Sequence, residues 1–86
     1  MKSSTTVRFR RLYAALPADI RSAARKQFRL WRENRSHPSV QFKKVGRFWS
    51  ARVTDSFRAL AYLKGDDFYW FWIGRHDEYD QILKGK

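Results

Sequence analysis

Residues 41–73 read QFKKVGRFWSARVTDSFRALAYLKGDDFYWFWI, and here the apolar residues recur with a period of two. Trp49, Ala51 and Val53 alternate with Ser50 and Arg52, as on a strand with one buried face. Gly46-Arg47 separates Gln41–Val45 from Phe48–Val53, which predicts a hairpin. Thr54-Asp55-Ser56 is turn chemistry, and a third strand follows over Phe57–Leu63. After the turn Lys64-Gly65-Asp66-Asp67, the segment Phe68–Ile73 is apolar on both faces, with Phe68, Trp70 and Trp72 set against Tyr69, Phe71 and Ile73. Such a segment is a central strand covered on both sides. The stretch therefore predicts an antiparallel meander of four strands.

Toward the N-terminus the period changes to that of a helix. Phe9, Leu12, Tyr13 and Leu16 recur at helical spacing over Val7–Leu16, and Pro17 ends this helix and opens the next. The second helix is expected over Ala18–Glu33. Ile20, Ala23, Ala24, Gln27, Phe28, Leu30 and Trp31 make its core side, and Arg21, Arg25, Lys26, Arg29 and Arg32 its basic side. Asn34–Ser39, with Pro38, is a loop. The polar start, Met1–Thr6, reads as loose chain or a short edge strand. Gly74 closes the last strand, and Asp77–Leu83 reads as a short helix. The expected fold is α+β: an N-terminal helical hairpin packed on an antiparallel four-stranded sheet, with a short C-terminal helix.

A chain of 86 residues is expected to form a single domain, 1–86. Aromatic residues make up 17% of it, which helps so short a chain fill a core. There is no cysteine, so disulfides and thiolate metal sites are excluded. Nineteen Lys and Arg against eight Asp and Glu give a net charge of +11, a field that attracts polyanions. No segment approaches the ~20 apolar residues of a membrane span, and Met1–Thr6 has no apolar signal core. No membrane partner and a cytoplasmic location are expected.

The sequence has no glycine-rich phosphate loop, no nucleophile elbow and only two histidines, His37 and His76. No cofactor and no metal are expected. What remains is a basic and titratable set in the strand region. Lys43, Lys44 and Arg47 lie on the first hairpin, with Arg52 and Arg58 on either side of a tight turn. Arg75, His76, Asp77, Glu78 and Tyr79 follow the last strand. Lys and Arg hold phosphate oxygens, Arg as a bidentate fork, and His, Glu or Tyr beside them can move a proton. That is the minimum set for metal-free RNA cleavage. Each residue also has a plainer role: Arg52 and Arg58 as outward charges, Tyr79 as packing for the last helix, and the tryptophans as core. Lys43 and Lys44 are adjacent, so pleating turns them to opposite faces.

Five pieces occur in order: Leu16-Pro17, Phe42-Lys43-Lys44-Val45-Gly46, Trp49-Ser50-Ala51-Arg52-Val53, Phe57-Arg58-Ala59-Leu60 and Ile73-Gly74-Arg75-His76-Asp77-Glu78-Tyr79. In this order they resemble the RelE/ParE superfamily, the toxin components of bacterial type II toxin–antitoxin pairs. The resemblance spans almost the whole chain. It implies an α+β fold, a complex with a cognate antitoxin and, in the RelE-type branch, ribosome-dependent cleavage of mRNA. Arg58 matches the family's phosphate-contacting arginine, Lys43 or Lys44 its first basic residue, Arg75 or His76 its terminal basic position, and Tyr79 its terminal tyrosine. Glu78 corresponds to a carboxylate base used by some relatives. Two features depart from the family pattern: Met1–Val7 does not read clearly as a strand, and Asp77-Glu78 makes the last cluster more acidic. An antitoxin is expected on the basic helix face at Arg21, Arg25 and Arg29, or over the sheet around Arg58. The alternatives are a ParE-like inhibitor of DNA gyrase and a non-catalytic basic interaction protein.

Overall fold

The computed structural model describes residues 2–84. Along the chain lie β1 (Lys2–Thr5), α1 (Val7–Ala14), α2 (Ala18–Glu33), β2 (Lys43–Val45), β3 (Phe48–Arg52), β4 (Phe57–Lys64), β5 (Asp67–Arg75) and α3 (His76–Lys84). The strands form one sheet in the order β1-β5-β4-β3-β2. β2 to β5 are the expected antiparallel meander, with Gly46 and Gly65 supplying the left-handed conformation at two of its turns (φ 61° at each).

The expected four-stranded antiparallel sheet needs one correction. Lys2–Thr5 is a fifth strand, paired in parallel with β5 from Lys2 opposite Asp67 to Thr5 opposite Trp70. The sheet is therefore mixed, and the two helices follow a strand instead of opening the chain. Met1, also included in the loose start, lies outside the described residues. Of the two alternatives for the polar start, the short edge strand is the one that forms; Lys-Ser-Ser-Thr has no apolar alternation to add it to the sheet count. Its ladder is reinforced by polar side chains: Trp70 Nε1 donates to Ser3 Oγ at 3.1 Å, and Ser4 Oγ donates to the Asp67 carboxylate at 3.3 Å.

Thr6 caps α1, its hydroxyl accepting from the Phe9 N–H at 3.1 Å. α1 stops at Ala14, two residues before the expected end, and Pro17 sets the entry to α2. Two of the basic residues of α2 tie the helices together. Arg21 donates to the Leu16 carbonyl, and Arg25 donates to the Tyr13 hydroxyl at 2.8 Å. On the opposite side of α2, buried Gln27 donates to the carbonyls of Ser39 and Arg52, both at 2.9 Å, and accepts from the Ser39 hydroxyl. It thereby anchors the loop and β3 to the helix. β2 begins at Lys43, not Gln41, because Gln41 takes a left-handed turn (φ 49°) that delivers Phe42 to the core.

One face of the sheet is covered by α1 and α2. Trp31 of α2 packs there with Val40, Ala51, Val53, Phe57, Ala59, Ala61, Phe68, Trp70 and Ile73. On the other face α3 covers a smaller cluster, in which Leu60, Trp72 and Tyr79 are buried with Phe48, Phe71, Ile82 and Leu83 around them. β5 is thus an interior strand covered on both sides.

The faces of β5 also differ from strict alternation. Leu60 pairs with Trp72 and Ala61 with Trp70, so a bulge at this point leaves Phe71 without a cross-strand partner. Phe71 and Trp72 consequently share the α3 face, and Ile73 joins Phe68 and Trp70 on the helix-hairpin face. The indole of Trp72 then lies close to Gly74. A Cβ added at Gly74 would stand 2.7 Å from Trp72 Cζ2 and 3.1 Å from Glu78 Oε1. Gly74→Ala is therefore expected to destabilise the fold by about 1–3 kcal/mol, as overpacking does. Urea unfolding checks this: the midpoint should fall while the slope stays the same.

Candidate functional site

Register and pleat sort the basic residues of the meander. Lys43 lies opposite Ser50, Ser50 opposite Leu60, and Leu60 opposite Trp72, which makes one rung across the sheet. Arg52, Arg58 and Gly74 make the next rung. Leu60 and Trp72 pack under α3, so both rungs belong to the face opposite the helical hairpin. Lys44 lies opposite Trp49, whose ring packs against the hairpin-side core, and therefore belongs to the other face. Arg47 is exposed in the β2–β3 turn, at the far end of β3 from Arg52. Arg21, Arg25 and Arg29 are on α2, across the sheet from these rungs.

Arg58 is half-buried. Its Nη1 donates to the carbonyls of Thr54 at 2.5 Å, Phe57 at 3.0 Å and Asp55 at 3.4 Å. Its cross-strand neighbour Gly74 brings no side chain to the rung. Arg52 pairs with the exposed carboxylate of Asp55, which also feels the charge of Arg58. The hydrogen bond and the charge from Arg52 hold the Asp55 carboxyl below its ordinary 3.8.

The start of α3 closes the same end of the sheet. The His76 N–H donates to the Ser56 carbonyl at 2.8 Å, which fixes the helix to the β3–β4 turn. The Arg75 guanidinium lies over the Phe57 ring, 5.8 Å from its centroid, with its Nε 3.7 Å from Asp77 Oδ1. His76 Nδ1 is 3.6 Å from Asp80 Oδ2, and the imidazole is 5.5 Å from the Tyr79 ring. Glu78 Oε1 accepts from the Arg75 N–H at 3.4 Å. Tyr79 is buried, and its hydroxyl donates to Ser50 Oγ at 3.0 Å. Asp55, Ser56, Arg75, His76 and Asp77 line a shallow polar depression between the turn and the helix.

Of the residues singled out from sequence, Arg52, Arg58, Arg75, His76, Glu78 and Tyr79 gather at this end, with Lys43 one rung away. Lys44, Arg47 and the α2 arginines do not. The exposed cations suit phosphate oxygens, and the exposed imidazole and carboxylate can exchange protons with solvent or a ligand. The Tyr79 hydroxyl is engaged with Ser50 beneath the helix. Four residues of the site went unnoticed in the sequence. In the sequence Asp55 is turn chemistry, Ser50 the polar half of an alternation and Gly74 a strand end, and none of these patterns marks a site residue. Asp80 carried a usable signal, since it stands four residues after His76 on a helix.

No known family pattern and no curated protein matches this sequence. In three dimensions the chain has the fold of the RelE/ParE-type toxins. A chain of the RelB–RelE antitoxin–toxin complex from Methanococcus jannaschii is similar at TM-score 0.70 and 12% identity, over 91% of this chain and 95% of that one. The YoeB/ParE toxin from Agrobacterium tumefaciens gives TM-score 0.69 and 15% identity, over 88% and 99%. YafQ from E. coli strain BL21(DE3) gives 0.65 and 11%, over 91% and 96%.

The Asp55 shift has a defined sign. A lowered carboxyl pKa means that the folded site favours the carboxylate, so the Arg52 contact is complete at neutral pH and is lost as pH falls through the folded value. In Arg52→Gln the Asp55 carboxyl should titrate higher, back toward 3.8. Carbon-detected NMR titration of both proteins checks this, and an unchanged Asp55 would contradict the pairing.

Proposed function

We propose that this chain is the toxin of a type II toxin–antitoxin pair, acting in the cytoplasm as a ribosome-dependent mRNA endoribonuclease. The observation that carries this reading is the Arg52-Arg58-Gly74 rung beside exposed His76 and Glu78, on a fold shared with a chain from an antitoxin–toxin complex. The reaction needs no metal. A base takes the proton of a ribose 2′-OH, and the oxygen attacks the adjacent phosphorus. The 2′,3′-cyclic phosphate forms, the bond to the 5′-oxygen breaks, and an acid protonates that leaving oxygen. Arg58, with Arg75 and Lys43, stabilises the extra charge on the phosphoryl oxygens. His76 and Glu78 are the proton-transfer groups. Tyr79 and Ser50 form the floor and hold α3 over the sheet. The ribosome would present the mRNA as a single strand.

A cognate antitoxin is the expected partner, contacting the α2 surface around Arg21, Arg25 and Arg29 or the sheet around Arg58. An apolar cavity of about 150 Å³ lies between the helical hairpin and the sheet, lined by Phe9, Tyr13 and Phe28 with Trp31, Trp70 and Ile73 behind them and Arg25 among its lining residues. It offers an antitoxin side chain a place to bury.

A specific observation favours the second reading, a ParE-like inhibitor of DNA gyrase. Asp55, Asp77, Glu78 and Asp80 surround the cations, and the Arg58 guanidinium is bonded within the protein. Primer extension on mRNA in a reconstituted translation system separates the readings. Wild type should cut mRNA only with ribosomes present. Arg58→Ala, verified as folded by circular dichroism, should cut about 100-fold more slowly or worse, the scale of losing one transition-state donor. No cutting by folded wild type, with gyrase supercoiling inhibited instead, would support the second reading.

A further inference from the structure

The sheet face that carries Arg58 ends, at its other extremity, in a group of aromatic rings that the chemistry above does not use. Tyr62 stacks on Tyr69 across β4 and β5, with centroids 5.2 Å apart and planes 14° from parallel. Phe71 stands 5.9 Å from Tyr62, and Phe48 stands 5.0 Å from Phe71. Tyr62 remains 37% exposed, and Tyr69, Phe71 and Phe48 are half-buried. Phe71 shares the face of Tyr69 by plain alternation, and the bulge then returns Trp72 to that same face, beneath α3. Cations border the rings: Lys64 two residues beyond Tyr62 on the same strand, Arg47 beside Phe48, and exposed Lys84 after Leu83 of α3. Asp67 is the acidic neighbour; it pairs across the strands with Lys64 and accepts from Ser4. Its charge raises the Tyr69 phenol pKa, so that ring stays neutral.

We infer that Phe48, Tyr62, Tyr69 and Phe71 form a base-stacking platform for single-stranded RNA, apart from the cleavage site but on the same face. Near-parallel tyrosines are a stack that a base can extend, and every base has a face for it. A folded sheet surface that stacks unpaired bases while nearby cations hold the backbone is a general solution for single strands. From Arg58 to Tyr62 the strand rises roughly 13 Å, so one short single strand can reach both regions. The net charge of +11 favours a polyanion over an apolar protein segment as the occupant. This inference rests on the RNA-directed reading of the face, and it is tested without cleavage.

The probe is a fluorescein-labelled 2′-O-methyl oligoadenylate, which has no free 2′-OH and cannot be cut. Its affinity is followed by anisotropy. Tyr62→Leu/Tyr69→Leu keeps apolar packing but removes the rings, and should weaken binding at least about 10-fold, within the range for losing base–aromatic stacking. Tyr62→Phe/Tyr69→Phe should bind within about twofold of wild type, because stacking uses the ring and not the hydroxyl. The salt dependence should keep its slope in both variants, since no charge is lost. In wild type the tyrosine ring resonances of both residues should move upfield when the probe is added, a readout independent of how the variants fold. Unmoved rings, or equal affinity for the Leu variant, would overturn the platform. So would a Leu variant that binds the probe normally but no longer co-purifies with a co-expressed antitoxin, because that assigns the rings to a protein. Arg58→Ala should abolish cutting yet leave the ring shifts in place. A wild type that binds the probe but never cuts mRNA would refute the nuclease and leave the platform standing.

Discussion

Trp31 is the contact on which the rest of the fold depends. Its ring meets Phe42, Phe68 and Trp70 edge-on, with centroids 5.3–5.6 Å away, and stacks on Phe28. It is 1% exposed and is the wedge between α2 and the sheet. Its Nε1 is buried with no acceptor among the described residues. An unpaired donor of this kind costs about 1–3 kcal/mol. Burying about 150–250 Å² of aromatic surface at about 25 cal/mol per Å² contributes roughly 4–6 kcal/mol. Burial therefore outweighs the orphaned N–H, and a large ring is worth placing at the centre of so small a core.

Filling the hairpin side with aromatics has a consequence for the site. That face of the sheet is largely closed, and while Lys44 stays on the hairpin side, Lys43, Arg52 and Arg58 stand on the other one. There α3 is held at two points, by the His76 N–H on the Ser56 carbonyl and by the Tyr79 hydroxyl on Ser50. These bonds bring residues 75–78 beside Arg58, which precedes them by a full hairpin. The bulge divides the face further: Trp72 goes beneath α3, and Phe71 goes to the exposed rings.

The meander, both hairpin-side helices and the α3 segment were legible because apolar periodicity is strong there. Trp49, Ala51 and Val53 read as a strand, and Pro17 as a helix boundary, from local chemistry alone. β1 was legible only as one of two alternatives, a short edge strand, because its pairing rests on main-chain bonds and on hydroxyl partners 63 and 67 residues away. The faces of Trp72 and Ile73 were misassigned because one unpaired residue inverts every later position, and no local signal in Phe-Tyr-Trp-Phe-Trp-Ile marks it. In the candidate site, the opposite facing of Lys43 and Lys44 followed from adjacency. The separate employment of Arg21 and Arg25 as ties between helices did not, since periodicity reports a face and not what that face touches.

The proposed RNA-directed function assigns the contact to the sheet face around Arg58 and not to the arginine side of α2. The most direct test is an amide NMR map of the isotope-labelled protein titrated with an uncleavable mRNA fragment. Shifts are expected at Lys43, Arg58, Gly74 and Arg75, with α2 unaffected from Arg25 to Arg32. Shifts confined to that stretch of α2, with the sheet unmoved, would contradict the assignment.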